Sequence, residues 1–390
     1  MVYPSSQMQG GGEVVAAWMV QALATEHALS ILAWEQLHLE DINRGCGTSL
    51  KATDYALIKP DALARGFGRV IGVLGADAYR AHRYSWLMRL AREAARHHDL
   101  LMTPLNEADL GGGGIQYVHE PWTSWLEDPA LGHQLTGLDL GRRAFRTLHR
   151  YSAQRMRTNL TLANSAWSAK RIERELGVRA IVVTPPAPGR TAGVPWERRE
   201  QAVIAVGRIV LAKRFDEIVE IVARLREAGI DLRLHIVGWR GDTRRDTRYL
   251  RSLRALVDAT SGWATLHENL PRIELLQLLG RVRYGLHACR EEPFGIAVAE
   301  MVRCGCIPFG HRSGGIPEIV GTDELLFSSP AEAVDKLGSL ISSPERQRRL
   351  RDALAERAEE FSEDAFMCRI REVVRAHAPA GGGATAGAVR

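Results

Sequence analysis

Two glutamates, Glu292 and Glu300, bracket the stretch PFGIAVA within the segment EEPFGIAVAEMVRCG. The Pro-Phe-Gly turn opens an apolar run at helical spacing, so Gly295 to Arg303 is predicted to be a helix that Gly305 terminates. Glu300 then sits among Ile296, Ala297, Val298, Ala299, Met301 and Val302. An ionised carboxylate in such surroundings is costly unless paired, which predicts a hydrogen-bonded ligand hydroxyl as its partner. The amides of Phe294, Gly295 and Ile296 open that helix without intrahelical acceptors, and the helix dipole favours a negative group there. A phosphate is expected to dock on them.

A second constellation precedes it. Gly207 and Arg208 close the apolar run AVIAVG, and Lys213 follows one short loop later. Two cations so placed can converge on one anionic group, and a diphosphate suits them; taken singly, each reads as a solvated loop charge. His119 ends the run IQYVH and precedes Glu120-Pro121. Lone histidines are more often structural, but one at a strand end is positioned for proton transfer or for hydrogen bonding to a substrate. In QGGGEVVAAWMVQALA, Gly10 and Gly11 allow close backbone approach to a ligand because no Cβ intervenes.

Elements must hold these groups in place. Short β-branched runs alternate with helical patterns along the chain, the rhythm of βαβ units and parallel sheets, in which ligands collect outside the carboxyl ends of the strands. One series runs through ALSILAW, YALIKP, LLMTP, IQYVH, NLTLANS and AIVVTPP. Proline and glycine then concentrate in TPPAPGRTAGVPWERRE, which reads as a linker. The second series contains strands at AVIAVG, LRLHIVG, WATLHE, RYGLHA and CIPFG, with helices at FDEIVEIVARLREAG, RYLRSLRALVDA, RIELLQLLG and FGIAVAEMVRC. The 390 residues suffice for two cores of about 150–200 residues each. The tail APAGGGATAGAVR is too poor in large apolar residues to fold alone and is expected to be disordered.

Composition narrows the function classes. No apolar run approaches the roughly 18–20 residues of a bilayer span and no secretory signal is evident, so a cytoplasmic location is expected. The five cysteines are scattered, and the CxC pair Cys304/Cys306 has no second pair beside it; free buried thiols and no metal site are expected. A net charge of +5 is compatible with phosphate-bearing partners without choosing among them. Residues 79 to 98, YRAHRYSWLMRLAREAARHH, suit a helix lying on an anionic membrane surface; a packed helix with a solvated basic face is the commoner arrangement. No nucleic-acid module is present. The glycine-rich stretch NEADLGGGGIQ reads as a mobile loop, and only Met1 to Pro4 precede the glycine-rich region, leaving less than a full first strand.

The EPFGIAVAE spacing resembles the paired-glutamate signature of retaining GT-B glycosyltransferases of family 4, and the resemblance spreads over most of residues 7 to 330. VGRIVLAKRFDEIVEI is similar to the family's Gly-Arg and Lys element, SGGIPEIV to its following loop, and FSEDAFMCRIREVV to its closing helix. GLHACREEPFGIAVAEMVRCGCIPFGHRSGGIPEIV, with His287 and GHRSGG, most resembles lipid-linked-oligosaccharide α-1,2-mannosyltransferases. The resemblance implies an α/β GT-B fold of two Rossmann-like domains whose parallel sheets face each other across a cleft. Residues 1–184 would form the acceptor-side domain, 185–200 the linker, 201–361 the nucleotide-sugar domain, 362–377 a helix returning to the first domain, and 378–390 a disordered tail.

It also implies roles. Arg208 and Lys213 would grip the donor diphosphate, Glu292 the transferred sugar, Glu300 the ribose, and the amides of Phe294, Gly295 and Ile296 the sugar and phosphate oxygens. Gly10, Gly11 and Gly207 would line the donor site, and His119 would reach sugar or acceptor. No cofactor or metal is implied beyond the nucleotide sugar, GDP-mannose or a UDP-sugar. The acceptor would be a glycan or lipid-linked glycan, with peripheral contact at the cytoplasmic face of an anionic membrane and no nucleic-acid partner. A sugar-nucleotide isomerase of the 2-epimerase type and a non-catalytic nucleotide-sugar-binding subunit are the alternatives.

Overall fold

The computed structural model describes residues 1–3, 10–62, 64–66, 76–121, 150–191, 193–241 and 243–378. All of the tail expected to be disordered except its first residue, Ala378, lies outside them. The chain divides into two units, one of Met1–Asn164, Ala169–Val183 and Met367–Arg390, the other of Ser165–Ser168 and Thr184–Phe366.

The first unit holds two parallel sheets. Strands β1 (Val2–Tyr3), β2 (Ser30–Ala33) and β3 (Ala56–Ile58) form one; β4 (Met102–Thr103), β5 (Ile115–Val118), β6 (Leu160–Ala163) and β7 (Ala180–Val182) form the other, both in sequence order. The short first strand is present: Val2 and Tyr3 pair with Leu32 and Ala33. The helix Gly11–Leu23 buries Val14, Val15, Ala17, Trp18 and Met19 among its apolar residues. The basic stretch forms the helix Ala76–Ala94, which packs Tyr84, Leu87, Met88 and Ala91 into a core with Val2 and Leu32 while Arg89 stays exposed. Among its described residues it is therefore a packed helix in which Arg89 faces solvent while Arg92 is half-buried against Asp109.

The stretch read as a mobile loop is instead tied down at both ends. Asn106 Oδ1 accepts from the His119 amide at 2.8 Å, Asp109 pairs with Arg155 at 2.6 Å, and the Gly114 amide donates to Asn159 Oδ1 at 3.1 Å. Its glycines permit the left-handed turns at 111–113, and its buried acidic and amide side chains fix the rest. From Met367 onward, the helix Glu363–His377 belongs to this unit: Arg371 donates to the carbonyl of Ala22 at 2.8 Å and Arg375 pairs with Glu26 at 2.8 Å.

The second unit is one six-stranded parallel sheet made of β8 (Glu200–Ile209), β9 (Arg233–Arg240), β10 (Ala264–Glu268), β11 (Val282–His287), β12 (Ile307–His311) and β13 (Leu326–Phe327). Its spatial order, β10-β9-β8-β11-β12-β13, is the doubly wound order that reverses between β8 and β11. Alternate residues of β8 serve different cores. Val203, Ala205 and Ile209 pack with Phe215, Ile218 and Val222 of the helix Phe215–Glu227, whereas Ala202, Ile204 and Val206 pack with Leu275, Leu278 and Leu279 of the helix Arg272–Leu279. A sheet covered on both faces explains why AVIAV is continuously apolar rather than alternating. Among the described residues no helix is long and apolar enough to cross a membrane.

Candidate functional site

The switch point between β8 and β11 is where a doubly wound sheet opens a crevice at its carboxyl ends, because the connections leave in opposite directions there. Gly207 lies opposite Gly238 in the β8–β9 register, and a Cβ on Gly238 would come within 2.2 Å of the Gly207 carbonyl oxygen. Strand β8 runs past Gly207 to Ile209, so Arg208 lies on the strand and is exposed. A single 3-10 turn, Leu211–Lys213, then carries Lys213 back so that its stem passes 3.7 Å from the Cβ position of Gly207. Among the described residues the Arg208 guanidinium has no carboxylate in ion-pair range, and its charge is felt at Lys213.

From the other side of the switch, His287 ends β11 and Glu292 follows in the loop. The Lys213 ammonium donates to Glu292 Oε2, and His287 Nε2 lies 3.2 Å from the same oxygen. Against a carboxylate, Nε2 must carry the proton. Burial alone would raise the Glu292 carboxyl; the Lys213 ammonium and the His287 hydrogen bond outweigh it and hold the group well below the usual carboxylate range. Burial opposes the Lys213 charge too, but Glu292, with a contribution from Cys289, leaves its pKa raised.

The loop carrying Glu292 is built on SGG. The Glu291 amide donates to Ser313 Oγ at 2.8 Å, Ser313 Oγ lies 2.8 Å from His311 Nδ1, and the Gly315 amide donates to the Glu292 carbonyl at 2.8 Å. A Cβ on Gly314 would stand 2.2 Å from the Glu292 carbonyl oxygen, so glycine is needed for two loops to touch. Gly295 caps the helix Ile296–Arg303 at φ 108, and the amides of Phe294, Gly295 and Ile296 lead into it. Gly305, at φ 75, ends it through hydrogen bonds from Gly305 to Val302 and from Cys306 to Met301.

Glu300 is buried in that helix, but its partner is in the chain itself. Arg272 Nη2 lies 2.7 Å from Glu300 Oε1 and also donates to the Pro188 carbonyl. The partner expected to be a ligand hydroxyl is thus supplied by an arginine 28 residues earlier, and a ligand hydroxyl is not needed to explain the burial.

His119 and the glycine-rich segment belong to the first unit. His119 Nε2 lies 3.1 Å from the Pro104 carbonyl, its ring stands 4.9 Å from that of Tyr117, and burial pushes its pKa down to about 4. It is a neutral imidazole near pH 7, with Nε2 as donor to Pro104. Gly10 caps the helix Gly11–Leu23, but the glycine under real constraint is Gly12: its Cβ would meet Leu105 at 2.8 Å and His119 Nε2 at 3.6 Å.

The second unit therefore brings together Gly207, Arg208, Lys213 and Glu292, and joins Glu300 to them through one loop and helix; the first unit joins His119 to the glycine-rich turn. Arg272, Cys289 and Gly12 carry no role on sequence grounds, and Ser313 and His287 enter there only as parts of a resemblance. The position of His287 at a strand end, the same signal used for His119, was available for it. The cysteines are buried as expected except Cys368, which is exposed.

Comparison with known proteins adds to this geometry. Residues 193–360 match the family model for glycosyl transferases group 1. The human GDP-Man:Man(3)GlcNAc(2)-PP-Dol alpha-1,2-mannosyltransferase is 23% identical over 231 residues, 54% of this chain and 46% of that protein. The GDP-mannose-dependent alpha-(1-6)-phosphatidylinositol dimannoside mannosyltransferase of Mycobacterium tuberculosis is 28% identical over 157 residues, 40% of this chain and 39% of that protein. The chain thus spans less than half the length of these relatives. Among solved structures, sucrose-phosphate synthase from Thermosynechococcus elongatus has a TM-score of 0.69 at 14% identity, covering 96% of this chain and 98% of that one. Anabaena HepE in complex with UDP and glucose has a TM-score of 0.66 at 14% identity with the same coverage. At such identities the likeness establishes the fold, which is GT-B.

Proposed function

We propose that this chain, in which residues 193–360 form a glycosyl transferases group 1 domain on a GT-B fold, moves a hexose from a nucleoside-diphosphate sugar to a glycan or lipid-linked glycan with retention of configuration. The observation that carries the reading is the Lys213–Glu292–His287 cluster at the carboxyl ends of β8 and β11, beside an exposed Arg208 and a helix start. A nucleotide sugar presents two charges and a ring of hydroxyls, and this cluster offers cations and helix amides for the first and a fixed carboxylate for the second.

In the reaction, Arg208 and Lys213 hold the diphosphate and stabilise the charge that grows on it as the glycosidic bond breaks. The amides of Phe294, Gly295 and Ile296 bind sugar and phosphate oxygens, and the Lys213 stem runs beside Gly207. Glu292 accepts hydrogen bonds from sugar hydroxyls while its second contact keeps the ammonium aimed at the phosphate. Glu300, fixed by Arg272, takes the ribose hydroxyls. Glu292 is spent on Lys213, His287 and sugar hydroxyls and no other carboxylate is assigned as nucleophile, so the reading is same-face attack through an oxocarbenium-like state rather than the double displacement of retaining hydrolases. The departing phosphate takes the proton of the acceptor hydroxyl. With two cations serving the diphosphate, no metal is required for this step.

Mannose is the leading sugar: both GDP-mannose-dependent relatives match this chain, and HepE with UDP keeps uridine donors in the test. Gly10 and Gly11 are assigned to the donor and His119 to the sugar or acceptor. The protein is incubated with a panel of GDP- and UDP-sugars, with and without crude lipid extract, and the products are identified. A new glycoside from one donor, with the anomeric configuration retained, supports transfer, and its appearance only with lipid identifies a membrane-borne acceptor. An altered free sugar without any acceptor would instead favour the isomerase reading.

A further inference from the structure

A ring nitrogen of His287, the Cys289 thiol and a Glu292 carboxylate oxygen all lie within 4.8 Å of one another, at the end of β11 and in the loop that follows. They are a nitrogen, a sulfur and an oxygen donor on a short span of chain, all shielded from solvent apart from the part-exposed Glu292. Tetrahedral zinc sites place neighbouring donor atoms roughly 3.3–3.8 Å apart, given metal–ligand bonds of about 2.0–2.3 Å. His287 Nε2 and Glu292 Oε2, at 3.2 Å, are already near that spacing, so only the thiol has to close in. The donor set is also selective: thiolate with imidazole prefers zinc over the hard cations magnesium and calcium.

We propose that His287, Cys289 and Glu292 form a binding site for a borderline-soft divalent cation, zinc foremost, whose occupation detaches Glu292 from Lys213. On binding, Cys289 gives up its thiol proton to solvent, the His287 proton moves from Nε2 to Nδ1 so that Nε2 offers its lone pair, and three metal–ligand bonds form; the Lys213 ammonium keeps its protons and is released from the carboxylate, leaving a fourth metal position open. Lys213 is the internal competitor for this site, so the ion inhibits rather than assists the proposed transfer. The binding claim stands independently of that reaction; only its inhibitory consequence rests on it.

The full-length protein is titrated with cobalt as a spectroscopic probe and with zinc against a chromophoric chelator, in the absence of any sugar nucleotide. One ion per chain is expected, with a thiolate-to-cobalt charge-transfer band. Cys289→Ser abolishes the band, and both it and His287→Gln weaken zinc binding by at least the roughly 10–100-fold that loss of an outer partner costs at metal sites. Lys213→Met tightens it. Melting temperatures of the metal-free variants identify any that fail to fold; Cys289→Ser, a single-atom change, then carries the test. A band that persists in Cys289→Ser, or that vanishes instead with Cys368→Ser, or no band at all, overturns the proposal. Where transfer is measurable, zinc slows the wild-type protein more than Cys289→Ser; absence of transfer leaves the binding result intact.

Discussion

Lys213 and Glu292 bear opposite charges and lie in contact, so neither can be removed without changing the other. Losing one partner of such a shielded pair leaves a lone charge, whereas losing both does not. Lys213→Met and Glu292→Gln are each expected to lower turnover by about 100–1000-fold, the scale of removing one preorganised electrostatic contact. The double variant is expected to fall little further, because the two act as one unit. Steady-state rates of the three variants, with circular dichroism confirming the fold, check this; additive losses would mean the groups act separately. His119 gives a prediction in pH. Its folded pKa of about 4 lies below the free value of roughly 6.5, so stability from the neutral ring is complete above 6.5 and declines as pH falls towards 4. Histidine NMR titration should show one ring that stays neutral at pH 5; a ring titrating near 6.5 at this position would contradict its burial.

At the scale of elements, the glycines of the switch-point loops are where backbone approach decides stability. Gly314→Ala places a methyl group against the Glu292 carbonyl, and overpacking of this kind costs about 1–3 kcal/mol. A fall in melting temperature with weakened donor binding is expected, and an unchanged melt would show that the SGG loop can shift aside. Arg272 and Glu300 join the helices Arg272–Leu279 and Ile296–Arg303, and breaking that pair at one end costs about 3–5 kcal/mol. Arg272→Met should therefore destabilise more than the double variant Arg272→Met/Glu300→Met. The strands were legible in the sequence because β-branched runs such as AVIAVG and LRLHIVG carry their own signal. Strand β13 was not, since two residues have no period, and the helix Pro344–Arg357, PERQRRLRDALAER, hides a three-residue buried stripe among charges. Ser329-Pro330 and Ser343-Pro344 are the cues in the sequence, each a serine at the N-cap position followed by proline at the first helical position, though only the Ser329 side chain accepts a capping hydrogen bond.

For the molecule as a whole, the strand order of the second unit was not readable from local pattern, because pairing between β8 and β11 joins segments about 80 residues apart. That order is nonetheless what turns scattered motifs into a site. The paired-glutamate segment and the Gly-Arg/Lys segment were both visible in sequence; their meeting at Glu292, the part played by His287, and the internal partner of Glu300 required the fold. A ligand binding only the folded second unit must stabilise it by mass action, by about 2.7 kcal/mol at one hundred times its dissociation constant. The measurement that bears most directly on the account is release of GDP from GDP-mannose by the wild-type protein beside Glu292→Gln and Lys213→Met, with the UDP-sugars in parallel. Release from one donor, lost in both folded variants, is the predicted result. Equal release by wild type and variants, or no release and no donor-induced stabilisation with any nucleotide sugar, would contradict the placement of the donor site at the β8–β11 switch point.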